Sequence, residues 1–347
     1  MARVTILMPV RDAGRWLDEC LDSIVGQSEA DWDLVAVDDG SRDDSRAVLD
    51  ARARHDARIR VVSTSPGRRG LVAALNAGLA LARSPLLARM DADDVADPRR
   101  LERQCAALDA NTSLFAVACK VDPFPDSRLG DGMRRYLDWQ NGLLAPDQIA
   151  RDRFVESPVV HPSTIMRTAA LCDGLGGWRE TGWPEDWDLF LRALAAGLRI
   201  GRVNEVLLGW RLHEFQATRV DPRYGEDRLM ACRAHHLANE LRGRSVGNAG
   251  RPLWMLGAGP VGKSLCKLLA REGVEASGLV DVDPRKIGGR VRDGARTWPV
   301  VSMDTLFAAS PRPYAISAVG RPGGRLDVRG LLSERGWTEL VDYLVAA

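Results

Sequence analysis

Lysine is scarce in this 347-residue chain: Lys120, Lys263, Lys267 and Lys286 are four of its 48 basic residues, and the rest are arginine. Arginine suits bidentate recognition of phosphate, but a bias spread along the whole chain follows coding composition and carries no functional weight. Net charge is lacking as well. With 47 acidic residues the formal charge is only +1, which removes the electrostatic case for nucleic acid or an acidic membrane surface as partner. Paired cysteine spacing is missing. Cys20, Cys105, Cys119, Cys172, Cys232 and Cys266 are scattered with no C-x-x-C, which fits buried free thiols in a reducing compartment better than a disulfide frame or zinc site. No apolar run approaches the ~20 residues of a spanning helix. The run from Val4 to Val10 is too short for a signal peptide and reads as a first strand. Together these absences predict a cytoplasmic protein.

What is present is ordinary in bulk: 45% hydrophobic and 27% charged, as in a globular protein. The length has room for two domains of roughly 150 residues each. One stretch stands out. The apolar run Leu86 to Met90 ends in Asp91-Ala92-Asp93-Asp94. That reads as a strand leaving a core for the polar crevice where α/β sheets bind ligands. A like-charge pair at ~4 Å costs about 1 kcal/mol in water and about 4 at an effective dielectric of 20. A divalent cation reverses that sign, and Mg²⁺ is commonly held by one or two carboxylates plus substrate phosphates. An acidic surface turn is the plainer alternative.

The chain before this stretch alternates strand and helix. Val4 to Val10 is continuously apolar, as in a sheet covered on both faces. Trp16/Leu17, Cys20/Leu21 and Ile24 then recur at helical spacing. Leu34 to Val37 is a second strand ending in Asp38-Asp39-Gly40-Ser41, followed by a helix from about Asp43. Ile59 to Val62 is a short strand, and Leu71, Leu75 and Leu79 mark another helix. This β-α-β-α order predicts an α/β fold with a mostly parallel sheet and helices on both faces. Strand ends at Val10, Asp38 and Asp91 should then converge on one edge, with Asp39 and the acidic cluster on a common crevice. Asp38-Asp39-Gly40-Ser41 also suits a turn whose Ser41 or Asp43 caps the next helix.

Pro9-Val10-Arg11-Asp12-Ala13, Val37-Asp38-Asp39-Gly40-Ser41, Asn76-Ala77-Gly78 and Met90-Asp91-Ala92-Asp93-Asp94 resemble the family-2 glycosyltransferases of the GT-A fold. The resemblance implies that the first two loops, through Pro9, Val10, Arg11 and Asp39, hold the nucleotide of a sugar donor. It implies a uridine base donating to Asp39, Arg68 or Arg69 near the nucleotide, and Asp91 and Asp93 carrying Mg²⁺ or Mn²⁺ at the diphosphate. Arg11-Asp12 departs from the family, which often has an aromatic followed by Asn.

Residues 120–156 hold Pro123, Pro125 and Pro146 with few periodic apolar runs, and read as loops and short helices. Glu156 to Arg167 reads as a strand with a polar start, in which His161 can touch the diphosphate or the acceptor, or serve as a hydrogen-bonded strand-end histidine. Glu185-Asp186-Trp187-Asp188-Leu189 opens a helix whose dipole favours acidic residues in its first turn, each by about 0.3–1 kcal/mol. The family resemblance adds that such an E-D pair opens the acceptor helix, which makes Asp186 the general base and Glu185 its support. Trp210-Arg211-Leu212-His213 is similar to the family's aromatic-Arg-x-His ending, whose His can approach the metal or diphosphate. The resemblance covers residues 1 to about 240, through a last helix at Tyr224 to Leu241. His235-His236 within that helix lacks partners that suggest a metal site.

The glycine-rich polar segment 244–252 reads as a linker, separating a domain at 1–243 from one at 253–347. The second opens with a strand, Leu253 to Leu256, then Gly257-Ala258-Gly259-Pro260-Val261-Gly262 and a helix. A further strand, Ala276 to Val280, ends at Asp281. Gly257, Gly259 and Gly262 with Asp281 about twenty residues later fit a dinucleotide-binding βαβ unit, so NAD(P) is a possible ligand. Pro260 removes a backbone donor from that loop, and a scaffold or docking role is the alternative. The segment resembles small Rossmann-like modules attached to sugar enzymes.

The expected activity is metal-dependent, inverting hexosyl transfer from a nucleoside-diphosphate sugar, UDP-linked by preference, to the hydroxyl of an unknown acceptor, in polysaccharide or glycoconjugate synthesis. A sugar-1-phosphate nucleotidyltransferase calls for a glycine-rich loop after the first strand, where Pro9 to Gly14 has a single glycine. A non-catalytic regulatory binder of nucleotide-sugar or dinucleotide is the remaining rival, and Asp91, Asp93 and Asp186 argue against it.

Overall fold

The computed structural model describes residues 2–347 apart from Pro66, Ala249 and Pro322; Ala249, inside the expected linker, therefore lies outside the described residues. Contacts divide the chain into two compact units. The first holds residues 1–150, 158–181 and 185–221, and the second holds 151–157, 182–184 and 222–347.

The first unit is built on eight strands: β1 Val4–Val10, β2 Trp32–Asp38, β3 Ile59–Ser63, β4 Leu86–Arg89, β5 Val95–Ala96, β6 Leu114–Phe124, β7 Thr164–Arg167 and β8 Arg199–Arg211. Their order across the sheet is β3-β2-β1-β4-β7-β6-β8-β5. β1 to β4 are mutually parallel, β7 runs antiparallel between β4 and β6, and β6 and β8 are parallel. The sheet is thus mostly parallel, as the sequence pattern predicts.

Both faces of this sheet are covered. Val4, Ile6, Met8 and Val10 of β1 join one core with Leu34 and Ala36 of β2, against Leu17, Cys20, Leu21 and Ile24 of the helix Gly14–Val25. The alternate residues Leu7, Val35 and Val37 join the other, against Val72, Leu75 and Leu79 of the helix Leu71–Leu79. That second helix sits very close to the sheet. A Cβ on Gly78 would lie 2.0 Å from Leu7 Cδ1 and 3.0 Å from Val37 Cγ2, so any side chain there forces the buried residues around it to shift.

Register decides where the functional loops fall. Val10 pairs with Asp38, and Met90 N donates to Leu7 O, so β1, β2 and β4 finish side by side. β8 runs in the same sense and ends at Arg211, whose backbone N donates to Asp94 Oδ1 at 2.9 Å. The C-terminal ends of strands far apart in sequence therefore meet at one edge.

The second unit carries β9 Leu253–Leu256, β10 Gly278–Val280, β11 Arg290–Asp293, β12 Arg296–Val301, β13 Tyr314–Ser317 and β14 Tyr343–Val345 in the order β11-β12-β10-β9-β13-β14. β11 is the antiparallel partner of β12, and the other strands are parallel. Without β11, the order is that of the first five strands of a dinucleotide-binding sheet. The helix Glu226–Gly243, expected with the first domain, belongs here. It packs against the helix Pro260–Arg271, with Cys232, Leu237 and Leu241 among its buried residues, and Arg233 Nη2 donates to Val155 O within the same unit. The contact boundary therefore falls at 221/222, before this helix, whereas the linker 244–252 was expected to separate the domains after it. No helix among the described residues is long and apolar enough to cross a membrane.

Candidate active site

The loops after β1 and β2 are sewn together by side chains that cap backbone donors. Asp12 has φ 51°, a left-handed conformation that Asp and Asn tolerate better than most residues. Its Oδ1 accepts from Arg42 N at 2.7 Å, while its own N donates to Ser41 Oγ. Asp43 Oδ2 accepts from Gly14 N and its Oδ1 from Ser45 N, so Asp43 anchors the start of the helix Ser45–His55. Asp at position 12 thus does structurally what an Asn there can do.

Asp39 is 3% exposed. Its carboxylate accepts from Gly70 N at 2.9 and 3.0 Å and from Thr64 Oγ1 at 3.0 Å, with Arg11 Nη1 at 3.4 Å. It therefore ties the Arg68–Gly70 loop to the end of β2, a duty the sequence does not show. Pro9 and Val10 have buried side chains, and Val10 O is taken by Asp39 N. Arg11, Arg42, Arg68 and Arg69 are exposed around this loop pair, with Arg69 lying over Gly40. The arrangement offers guanidinium groups to an anion.

At the end of β4, ligand oxygens of Asp91, Asp93 and Asp94 lie within 4.8 Å of one another. Burial pushes the Asp94 carboxyl well above its usual range, and the charges of Asp93 and Asp91 add to the effect. Burial raises Asp91 too, although Arg89 opposes it. Asp94 is 1% exposed and its Oδ2 has no hydrogen-bond partner. An orphaned buried oxygen between two further carboxylates is a hard, anionic donor set, and it fits Mg²⁺ or Mn²⁺.

Sequence reasoning passed over Arg89, a cation inside a run read as apolar. It is 1% exposed, and its guanidinium reaches Asp91 Oδ1 and Met90 O. Arg100, also buried, donates to Arg89 O at 2.7 Å and to Gln104, whose amide donates to Val117 O and Ser163 O. A charged residue this deep calls for opposite charge nearby; that rule was the available signal. Asp94 was likewise seen in the cluster but not assigned as a ligand.

Glu185 and Asp186 open the helix Glu185–Ala195. Glu185 is 1% exposed, whereas Asp186 reaches the surface and accepts from Trp187 N at 2.8 Å through Oδ1. Burial pushes Asp186 up to about 6 even though that hydrogen bond opposes it, and Arg89 and Asp91 lie close enough to act on it. The acidic helix start and the metal-type cluster, about ninety residues apart in the chain, thus share one electrostatic site. Asp188 instead pairs with Arg192, which donates to Leu175 O and Gly177 O and holds the preceding loop. Asn76 grips the same loop through Trp178 N and O.

Of the two readings of His161, contact with diphosphate or acceptor and a hydrogen-bonded strand-end histidine, its packing is that of the second. It is 5% exposed, Trp178 Nε1 donates to its Nε2 at 3.1 Å, and its Nδ1 faces Glu185 at 3.9 Å. Burial, with Arg89 nearby, holds its pKa well below the usual range. It is a neutral core residue behind Glu185. His213 does reach the acidic cluster, with Nε2 2.6 Å from Asp93 Oδ2.

In the second unit the first and third glycines are sterically required. Gly257 has φ 100°, and a Cβ on Gly262 would lie 1.9 Å from Gly257 O. Gly259 faces open space. Asp281, 8% exposed, accepts from Ala258 N at 2.8 Å, Asp283 N at 2.9 Å and Lys286 Nζ at 2.9 Å. Three of the roughly four acceptor sites of that carboxylate are thus taken by its own chain.

The family model for glycosyl transferase family 2 matches residues 5–174. EpsE of Bacillus subtilis (strain 168), a relative named for glycosyl transfer, is 31% identical over 208 residues, covering 59% of this chain and 71% of EpsE. Among solved structures, S. aureus TarS 1-349 in complex with UDP-GlcNAc aligns with TM-score 0.57 at 18% identity, over 78% of this chain and 72% of that one. A mannosyltransferase from Pyrobaculum calidifontis in complex with GDP-Man and Mn²⁺ aligns with TM-score 0.50 at 20% identity, over 70% and 64%. At such identities the structures speak to the fold.

Proposed function

This chain belongs to glycosyltransferase family 2, and from that premise we propose that it performs metal-dependent, inverting hexosyl transfer. The donor is a nucleoside-diphosphate sugar, by preference UDP-linked, and the nucleophile is an acceptor hydroxyl. The observation that carries this reading is Asp186: a half-buried carboxylate at the start of the helix Glu185–Ala195, pushed up to about 6 by burial, with Arg89 and Asp91 close enough to act on it. A general base works best with a pKa near the operating pH. Ionised at neutral pH, Asp186 takes the acceptor proton as the oxygen attacks, and Glu185 supports it from behind. A single base with direct displacement gives inversion.

Mg²⁺ or Mn²⁺ held by Asp91 and Asp93 would offset charge growing on the departing diphosphate. Around the nucleotide, Arg11, Arg68 and Arg69 supply cationic groups. The backbone of Pro9 and Val10 and the carboxylate of Asp39 hold the loops that frame the base. TarS with UDP-GlcNAc and the mannosyltransferase with GDP-Man and Mn²⁺ support a nucleotide-sugar donor and a manganese-type cation. Free thiols at all six cysteines fit a reducing compartment, and a cytoplasmic location belongs to the same proposal, as does a role in polysaccharide or glycoconjugate synthesis.

A panel of nucleotide sugars, scored for release of nucleoside diphosphate with and without Mn²⁺, tests the reading. The expected result is cation-dependent release from one donor class that is lost in Asp186→Asn when acceptor is supplied. Binding of donor with no turnover under any acceptor would support a regulatory binder instead.

A further inference from the structure

His235-His236, a pair without an evident role in the sequence, meets Trp183 in the fold. The Trp183 ring lies 5.3 Å from that of His235 at 34°, a stacked contact, with His236 edge-on at 6.5 Å. All three side chains are half-buried and belong to the second unit. His235 is itself fixed at both ring nitrogens: Nδ1 lies 3.3 Å from Glu272 Oε2, and Asn239 Nδ2 lies 3.2 Å from Nε2. Arg242 holds the other end of that amide by donating to Asn239 Oδ1. The ring that receives Trp183 is therefore not free to turn.

Trp183 stands three residues before Asp186, and the chain between them is stiff. Pro184 fixes its own φ and disfavours a helical conformation at Trp183, so the helix opens directly after it at Glu185. Further along, that helix is anchored within the first unit by Arg192, which pairs with Asp188 and donates to Leu175 O and Gly177 O. The path of the chain points to the helix start as well. Before residue 222 it enters the second unit twice, at 151–157 and at 182–184, and each visit leads to the acid pair. Residues 151–157 precede His161, whose Nδ1 faces Glu185 at 3.9 Å, and 182–184 precede Glu185 itself. The helix Glu226–Gly243 holds both segments. Its Glu240 accepts from Arg153 Nη2, its Arg233 donates to Val155 O, and its His235 carries Trp183.

We propose that Trp183 is a positioning residue for the general base: stacked on His235, it fixes the start of the helix Glu185–Ala195 and with it the aim of the Asp186 carboxylate. The inference rests on the general-base reading above and goes beyond it by giving the second unit a part in transfer, through the chain that it holds. A base must lie within hydrogen-bond reach of the proton it takes, and a displacement of about 1 Å can slow a reaction about 100-fold.

Hydrogen exchange on the full chain tests the clamp without any ligand. In Trp183→Ala and in His235→Ala, the amides of 189–191, the first to close bonds within the helix, should exchange about tenfold faster than in the unaltered chain, with those of β1 unchanged. Unchanged exchange at 189–191 in both variants would overturn the proposal. Single-turnover release of nucleoside diphosphate, with the fastest donor of the nucleotide-sugar panel and water as acceptor, tests the consequence. The rate should fall about 10–100-fold in each variant, while donor affinity, Mn²⁺ affinity and melting temperature hold. Trp183→Phe, which keeps a ring on His235, should return to within about threefold of the unaltered chain. Both alanine changes remove one contact, so the double variant should be no slower than the slower single one. Losses that multiply, or a normal rate in either alanine variant, would overturn the proposal. If the unaltered chain turns over no donor, or Asp186→Asn keeps its rate, the general base falls and the proposal with it. A slow Asp186→Asn beside a normal Trp183→Ala removes the clamp alone.

Discussion

Replacing Asp186 by Asn separates catalysis from folding because the two roles predict opposite signs. The Asp186 carboxyl is pushed from 3.8 up to about 6. For an acid whose folded value is raised, the folded state binds more protons than the unfolded one between those two values. Stability therefore falls as pH rises from about 4 to about 6, and the cost is fully present at pH 7. One pKa unit is about 1.4 kcal/mol, so the shift corresponds to about 3 kcal/mol at most. Solvent screening of a group that reaches the surface brings this to about 1–2 kcal/mol. Asn removes that cost and can keep the hydrogen bond from Trp187 N through its amide oxygen. Asp186→Asn should therefore melt higher than the unaltered chain at pH 7, with the advantage shrinking towards pH 4. If Asp186 served only the helix dipole, the substitution would instead cost up to about 1 kcal/mol.

The catalytic sign is the reverse. Asn cannot take a proton, and loss of a general base typically slows transfer about 10²–10⁴-fold. In the unaltered enzyme, kcat/KM should fall as pH drops below about 6, tracking protonation of this group. Single-turnover transfer, donor affinity and melting temperature measured on one preparation decide the matter. A folded variant with normal donor affinity and near-normal transfer would remove Asp186 as the base. A lowered melting temperature at pH 7 would refute the burial argument independently.

Three other outcomes follow from the same geometry. Asp93→Asn should weaken Mn²⁺ and nucleotide-sugar binding together, by about tenfold or more, in titrations with and without metal; equal donor affinity in both would reject the ligand role. Gly78→Ala should destabilise the first unit by about 1–3 kcal/mol, because its Cβ would lie 2.0 Å from Leu7 Cδ1, and denaturant unfolding measures it. A fragment ending at Ser245 keeps the helix Glu226–Gly243 but removes the helix Pro260–Arg271 against which it packs. Limited proteolysis should then cut within 226–243, a segment expected to resist in the full chain.

Much of the fold was legible because it rests on local pattern. The continuous apolar run Val4 to Val10 and the spacing of Leu17, Cys20, Leu21 and Ile24 specify strand and helix wherever they fold, and alternating the two leaves a parallel sheet as the way to bury both. The acidic end of β4 and the Glu185-Asp186 start were legible for a similar reason: each carboxylate group is contiguous in sequence. What the sequence could not decide is anything that depends on which atoms face one another across long separations. Arg89 looked like an interruption in an apolar strand until Asp91, and the electrostatic reach to Asp186, gave its charge a purpose. His161 and His213 are both histidines at strand ends. Only packing buries the first behind Trp178 and Glu185, and only the tertiary fold brings the second to 2.6 Å from Asp93. The helix Glu226–Gly243 has an apolar face that suits either unit, and the helix against which it packs comes from residues after the linker. Periodicity says that a face will be buried; the surface that buries it is set by the tertiary fold.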